Sequence, residues 1–320
     1  MRVTENSTMN TVRDSLNRSR SRMSDLQKQN ATLKRVNAPS DDPVGNSRLM
    51  TIRNESLDNE QYEKNANFAK TFLNYTDSSL DELTQLVVRA KELALQSANS
   101  AAQGSESRVM ISQEVRNLLD QVQTIANRRL TDRFIFSGYK TNSEPFDKQG
   151  NYYGDEGNIM VEVQKDTFVG MNLPGRELFL GKEAKIAPLR APAGEGEAEN
   201  DLAQAQNPSS DDLFRTMDAL RVGLMTNNID LLRSTIDPLD QIRDRIITTR
   251  AQVGARVRGI DNALEQMGRA NVFNAELTSS IEDADVIQVV SDIAKEETVL
   301  RASLGASGKL VQPTLLDFLR

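Results

Sequence analysis

Apolar residues near the start of the chain recur at Val12, Leu16, Met23, Leu26 and Leu33, with Ser19 and Asn30 filling the two remaining places of an alternating four-three spacing. The same spacing returns near the other end at Val286, Val290, Ile293, Leu300, Leu304 and Val311, interrupted by Glu297 and Ser307. Such a period is that of a helix with one narrow apolar stripe, and an isolated helix leaves the stripe in water. Burying it gains roughly 25 cal/mol per Å², and only on docking. Residues 1–35 carry eight Lys/Arg against three acids, while 276–297 carry seven acids against one Lys. The economical intramolecular solution pairs the two ends with each other, joining stripe to stripe and positive charge to negative.

The stretch between the ends reads as more helix with one interruption. "NAPSDDPVGNS" (37–47) is a loop leading into a new helix, with Asp42 as N-cap and Pro43 in the first turn, where its missing N–H costs nothing. From Val44 to about Asn99 there is no further proline, and Leu49, Ile52, Leu73, Leu80, Leu83, Val87 and Leu93 keep near-helical spacing. At 1.5 Å per residue that helix would run roughly 80 Å. A turn at 99–107 precedes a return helix that carries Val109, Val115, Leu118, Val122 and Ile125 and makes an antiparallel hairpin. The period then changes. "RFIFSGYKTNSEPF" and the following "GNYYGDEGNIMVEV" bring aromatics, glycines and an Ile159, Val161, Val163 alternation, which predict short strands. Eight of the fifteen Phe and Tyr residues fall between Phe134 and Phe179, and Phe134, Phe136, Tyr139, Phe146, Tyr152, Phe168 and Phe179 are the expected core of a β-rich insert. An Ala/Pro/Gly/Glu-rich linker (187–210) leads to "SSDDLFRTMDAL", where helix resumes and runs on through Ile246, Val253, Ile260 and Met267.

The expected fold is therefore mainly α with a small β insert: an elongated, antiparallel long-helix rod formed by both chain ends, with an outer β-rich domain. Its parts are an N-terminal coiled-coil helix (1–40), a long helical hairpin (41–133), the β-rich domain with its acidic linker (134–208), returning helices (209–275) and a C-terminal coiled-coil helix (276–320).

Candidate chemistry is sparse. The chain has no Cys and no His, which removes thiolate and imidazole nucleophiles, general bases and zinc sites built on them. Asp41 and Asp42 fit helix capping better than a metal site. "YYGDEGN" lacks the alternating ligands and closing Glu of a calcium loop and reads as a turn. Basic "RSRSRM" (18–23) has no aromatic platform beside it and reads as a solvated or acid-facing helix surface, and the net charge of −7 disfavours nonspecific nucleic-acid binding. A glycan-acting insert would need paired acids across a cleft, whereas Asp155 and Glu156 are adjacent and would point apart in a strand. No catalytic residue, cofactor site or metal site is expected. There is no apolar leader, and no run approaches the roughly 18 apolar residues of a membrane-spanning helix.

Taken together, the two ends resemble the bacterial flagellin superfamily. "RVNAPSDDPVGNSRLM" (35–50) is similar to the signature between that superfamily's first two helices, with Arg35, Asn37, Ser40, Asp41, Asp42, Pro43 and Gly45 as the matching positions. "IEDADVIQVVSDIAKEETVLRASLGASGKLVQPTLLDFL" (281–319) is similar to its terminal helix, and "AQVGARVRGIDNALEQM" (251–267) to the segment before it. "NRRLTDRFIFSGYKTNSEPF" with "GNYYGDEG" resembles the superfamily's hook-filament junction branch more than its filament subunits. The resemblance implies a structural adaptor that joins hook to filament and assembles through Val12, Leu16, Met23, Leu26 and Leu33 with Val286, Val290, Ile293, Leu300 and Leu304. It implies terminal helices poorly ordered in the lone monomer, export to the flagellum without a cleaved signal peptide, and no catalysis. The implied partners are other copies of the chain, a neighbouring hook-associated protein, flagellin, and an export chaperone on the C-terminal region. A filament flagellin subunit and a cytosolic coiled-coil scaffold are the alternatives.

Overall fold

A computed structural model describes residues 2–99, 105–181 and 212–311. The 187–210 linker, the centre of the 99–107 turn and the apolar tail after Val311 lie outside the described residues. Among those described the protein is mainly helical: α1 (Arg2–Thr32), α2 (Pro43–Asn99), α3 (Ser105–Ala126), α4 (Gly175–Phe179), α5 (Leu213–Thr226), α6 (Ile229–Ser234), α7 (Ile236–Glu282) and α8 (Val286–Val311). Two small antiparallel sheets complete it, β1 (Arg129–Leu130) with β2 (Arg133–Phe134) and β3 (Met160–Gln164) with β4 (Thr167–Gly170). Two compact units result, one of Met1–Glu60 with Gly268–Arg320 and one of Gln61–Met267, and both α2 and α7 contribute to each.

The Gln61–Met267 unit holds a continuous apolar core. Phe72, Leu80, Leu83, Val87 and Leu93 of α2 meet Val115, Val122 and Ile125 of α3, Leu213, Met217 and Leu220 of α5, and Leu239, Ile242, Ile246 and Ile260 of α7. α5 begins where Asp212 accepts the N–H groups of Phe214 (2.9 Å) and Arg215 (3.2 Å), which satisfies two of the free donors of a helix start. It ends at Asn227 in the left-handed conformation (φ 55°). Along the outside, α2 and α7 are pinned antiparallel by ion pairs at stepped positions: Lys70 with Asp261 (2.6 Å), Arg250 with Asp77 (3.0 Å) and Asp81 (2.6 Å), and Lys91 with Asp240 (2.6 Å).

The insert is smaller than an independent domain and packs into the same core. Phe136, Phe146, Phe179 and Phe214 are buried together: Phe179 meets Phe146 (ring centroids 4.9 Å apart) and Phe136 (5.3 Å) edge to face and stacks on Phe214 (5.9 Å). Phe134 is buried, and the half-buried Tyr152 sends its hydroxyl to the carbonyls of Phe136 (3.0 Å) and Asp155 (2.8 Å). Two of the expected core residues lie outside it. Phe168, expected in the core, is 56% exposed because the β3–β4 ribbon has one covered face: Val161 and Val169 pair toward the core, and Phe168 pairs with Glu162 on the other side. Tyr139 is 63% exposed, its ring lying over Gly157 and its hydroxyl bonded to the Asn158 carbonyl (2.9 Å). Phe179 is buried but sits in α4, since Pro174 and Gly175 start a helical turn in place of a strand. Asp155 and Glu156 form no cleft: Asp155 accepts the N–H groups of Tyr139 and Gly157, and Glu156 pairs with Arg176.

Candidate assembly site

The unit containing both termini is built differently. α1 lies antiparallel to α8, and the inward rows are Val12, Leu16, Ser19, Met23 and Leu26 on α1 and Val289, Ile293, Glu296, Leu300, Ser303 and Ser307 on α8. The α1 row follows the sequence expectation as far as Leu26. Leu33 does not continue it: its φ of 58° closes the helix at Thr32 and turns the side chain into solvent. On α8 Ile293 and Leu300 face inward as the spacing predicts, but Val289, Glu296 and Ser303 take the alternate places expected for Val290, Glu297 and Leu304, so Val286, Val290 and Leu304 lie exposed beside the row. The polar contact between Ser19 and Glu296 (2.5 Å) accompanies the row that faces α1.

The connectors at the far end of this pair are tied together. The loop after α1 runs antiparallel to the α7–α8 connector, with a Lys34–Asp283 bridge, Arg35 N–H on the Glu282 carbonyl (2.6 Å) and Ala284 N–H on the Leu33 carbonyl (3.0 Å). The Glu282 side chain, 5% exposed, receives Lys34 (2.5 Å) and Arg53 (2.8 Å). Burial alone would raise its carboxyl, but the two cations outweigh that and hold it below the usual range. An acid at a helix C-terminus opposes the helix dipole, so its position already calls for a cationic partner. Neither Glu282 nor Arg53 stood out in the sequence, and that dipole conflict is the one signal that could have marked them.

The loop matching the flagellin-like signature is organised by its two aspartates. Asp41 accepts the N–H groups of Ala38 (2.9 Å) and Asn37 (3.0 Å), and these bonds lower its carboxyl. Asp42 caps α2 by accepting the Gly45 N–H (2.8 Å), and Pro43 is the first helical residue. Gly45 is small for a reason: a Cβ there would come within 2.7 Å of the Asp42 carboxyl carbon. Asn37 returns its amide to the Lys34 carbonyl (2.8 Å), Arg35 reaches the Ile281 carbonyl (2.7 Å), and Ser40 touches Asp41 (3.4 Å).

One expectation about charge is corrected. The helices pair, yet their opposite charges largely do not meet: among the described residues, Lys34 with Glu282 is the ion pair joining the basic 1–35 and acidic 276–297 segments. The packing of this unit is also unfinished. Met23, Val36, Leu49 and Val289 are its buried apolar side chains among the described residues, against eleven large exposed ones that include Met50, Leu57, Val272, Phe273, Val290 and Leu304.

Comparisons with known proteins agree with this geometry. The family described as the bacterial flagellin N-terminal helical region matches residues 3–141. Flagellar hook-associated protein 3 of Salmonella typhimurium is 26% identical over 87% of this chain and 87% of its own length, and that of Escherichia coli is 25% identical over the same shares. Flagellin of Listeria innocua is 20% identical over 95% of this chain and 93% of its own. Among solved structures, a putative flagellar hook-associated protein from Vibrio parahaemolyticus has a TM-score of 0.63 at 18% identity, covering 76% of this chain and 100% of its own. The flagellar junction protein FlgL from Legionella pneumophila has a TM-score of 0.55 at 16% identity, covering 74% and 100%. Its residues 3–141 thus match the bacterial flagellin N-terminal helical region, and with its paired terminal helices and aspartate-capped loop the chain is similar to flagellar hook-associated protein 3 and to flagellin along most of its length.

Proposed function

We propose that this chain is the structural subunit that joins the bacterial flagellar hook to the filament, a non-catalytic adaptor of the extracellular flagellum that assembles through its terminal helices. The curated relatives at 25–26% identity are hook-associated proteins, and the match to them spans most of both chains. The observation that carries the reading is the imbalance in the terminal unit, where four buried apolar side chains accompany eleven exposed ones. A unit with so small a core gains its stability from what covers it, so folding and assembly are linked. No described helix is long and apolar enough to cross a membrane, so the exposed side chains are not a bilayer span. Other copies of the chain, a neighbouring hook-associated protein and flagellin are the partners this surface would meet, with an export chaperone on the C-terminal region before assembly.

Leu300 faces α1 from the inward row of α8. In cells that lack the native chain, Leu300→Asp should be exported yet leave hooks without filaments and flagellin in the medium, while its Gln61–Met267 unit stays folded by circular dichroism. Normal filaments with Leu300→Asp would refute assembly through these helices. Hooks that carry filaments in the complete absence of the chain would refute the adaptor role itself.

A further inference from the structure

Two edges of the α1–α8 pair are left without partners, and their chemistry is complementary. On α8, Val290, Glu297 and Leu304 follow one another at seven-residue intervals, which sets them on one edge beside the inward row. Val290 is 52% and Leu304 48% exposed, and Glu297 has only Arg301 of its own helix, one turn on at 3.5 Å, with both side chains largely in solvent. On α1, Arg13 and Arg20 share an edge by the same interval, are exposed, and make no hydrogen bond or ion pair among the described residues. Arg20 follows Ser19 and Glu297 follows Glu296, and it is Ser19 and Glu296 that touch.

We propose that the Val290–Glu297–Leu304 edge of one copy takes the Arg13 and Arg20 edge of a second copy. The inference rests on the assembly reading and adds which faces meet. Arginine suits such an edge because its aliphatic stem covers apolar side chains while the guanidinium reaches a carboxylate, here Val290 and Leu304 flanking Glu297. The second copy supplies what the single chain lacks: cover for the two apolar groups, a carboxylate for the two arginines and a cation from another helix for Glu297.

The absence of cysteine makes the test clean. Arg20→Cys and Glu297→Cys, each on a separately tagged chain, are co-expressed in flagellated cells without the native chain, and sheared flagella are oxidised briefly. The expected result is a disulfide-linked heterodimer, favoured about tenfold over either homodimer because assembly holds the two sites at high effective concentration. A charge-exchange arm uses Arg13→Glu with Arg20→Glu on one chain and Glu297→Arg on another. Either alone should fail to support filaments, and the two together should restore them. Flagella that contain both cysteine chains without the heterodimer overturn the face assignment and leave the assembly reading standing. Recovery when all three charge changes are placed on one chain, but not when they are divided between two, shows pairing within a copy and also overturns it. Absence of the unmodified chain from sheared flagella overturns both readings.

Discussion

Glu282→Gln keeps the side chain's size and removes its charge from the clasp between the α1–α2 loop and the α7–α8 connector. Lys34 Nζ and Arg53 Nη2 stand 2.5 and 2.8 Å from its carboxylate, and the carboxylate is nearly fully buried. Breaking a wholly buried pair costs about 3–5 kcal/mol. Here both cations keep nearly half of their side-chain surface in water (46% and 48%), so they can be resolvated and the loss falls to about 1–2 kcal/mol. That corresponds to opening of the bridge about 5–30 times more often. Native-state hydrogen exchange reads it at the amides of Arg35 and Ala284, the donors of the bridge, with the Ile135 and Met171 amides of the other unit as controls. Acid supplies an independent check. Because the carboxyl of Glu282 is held below its ordinary value, its contribution is complete above the unfolded glutamate range and disappears as pH falls through the lower folded value. The native chain and Glu282→Gln should therefore converge in stability under acid and diverge toward neutrality. A change below about twofold at Ala284, an equal rise in the control amides, or a difference that persists in acid would refute the clasp.

Three further substitutions test the packing and the helix cap. Phe146, buried against Phe179, Phe214 and Tyr152, should cost about 3–5 kcal/mol when changed to Ala, seen as a lower unfolding midpoint of the Gln61–Met267 unit. Phe168→Ala on the uncovered ribbon face should stay within about 0.5 kcal/mol. Gly45→Ala should displace the Asp42 cap and cost about 1 kcal/mol, and its effect should vanish in an Asp42→Ala background, since both changes remove the same bond.

Much of this arrangement is readable from residue order. The Asp42–Pro43 start of α2, the helical return and the pairing of the two ends all follow from capping chemistry and apolar period. What was not readable is which of two neighbouring rows of α8 turns inward. Beside the shared Ile293 and Leu300, Val290 and Leu304 compete there with Val289 and Ser303, and a 3.6-residue helix drifts across a strict heptad, so the partner decides. Leu33 fits the period but lies where the chain must turn, and its backbone takes the left-handed conformation against its propensity. Phe168 alternates correctly for a strand, but alternation does not say whether a second layer covers that face. Glu282 was visible only as one acid in an acidic segment, because its value comes from Lys34 and Arg53, brought together by loops far apart in the chain.

The stepped ion pairs between α2 and α7 have a mechanical side. Arg250 bridges Asp77 and Asp81, which lie one helical turn apart, so a slide of one turn, about 5.4 Å, would leave it a carboxylate to hold. Slid so that Arg250 moves toward Asp81, Lys70 would face Glu265 and Lys91 would face Asp244, each one turn beyond its present partner; slid the other way they would face Val257 and Ile236. Pulled one way, all three pairs would hand over to a neighbouring carboxylate; pulled the other way, only Arg250 would keep one. Shear is thus resisted unequally in its two directions, as by a ratchet that re-engages one turn on in one sense and loses two of its three teeth in the other.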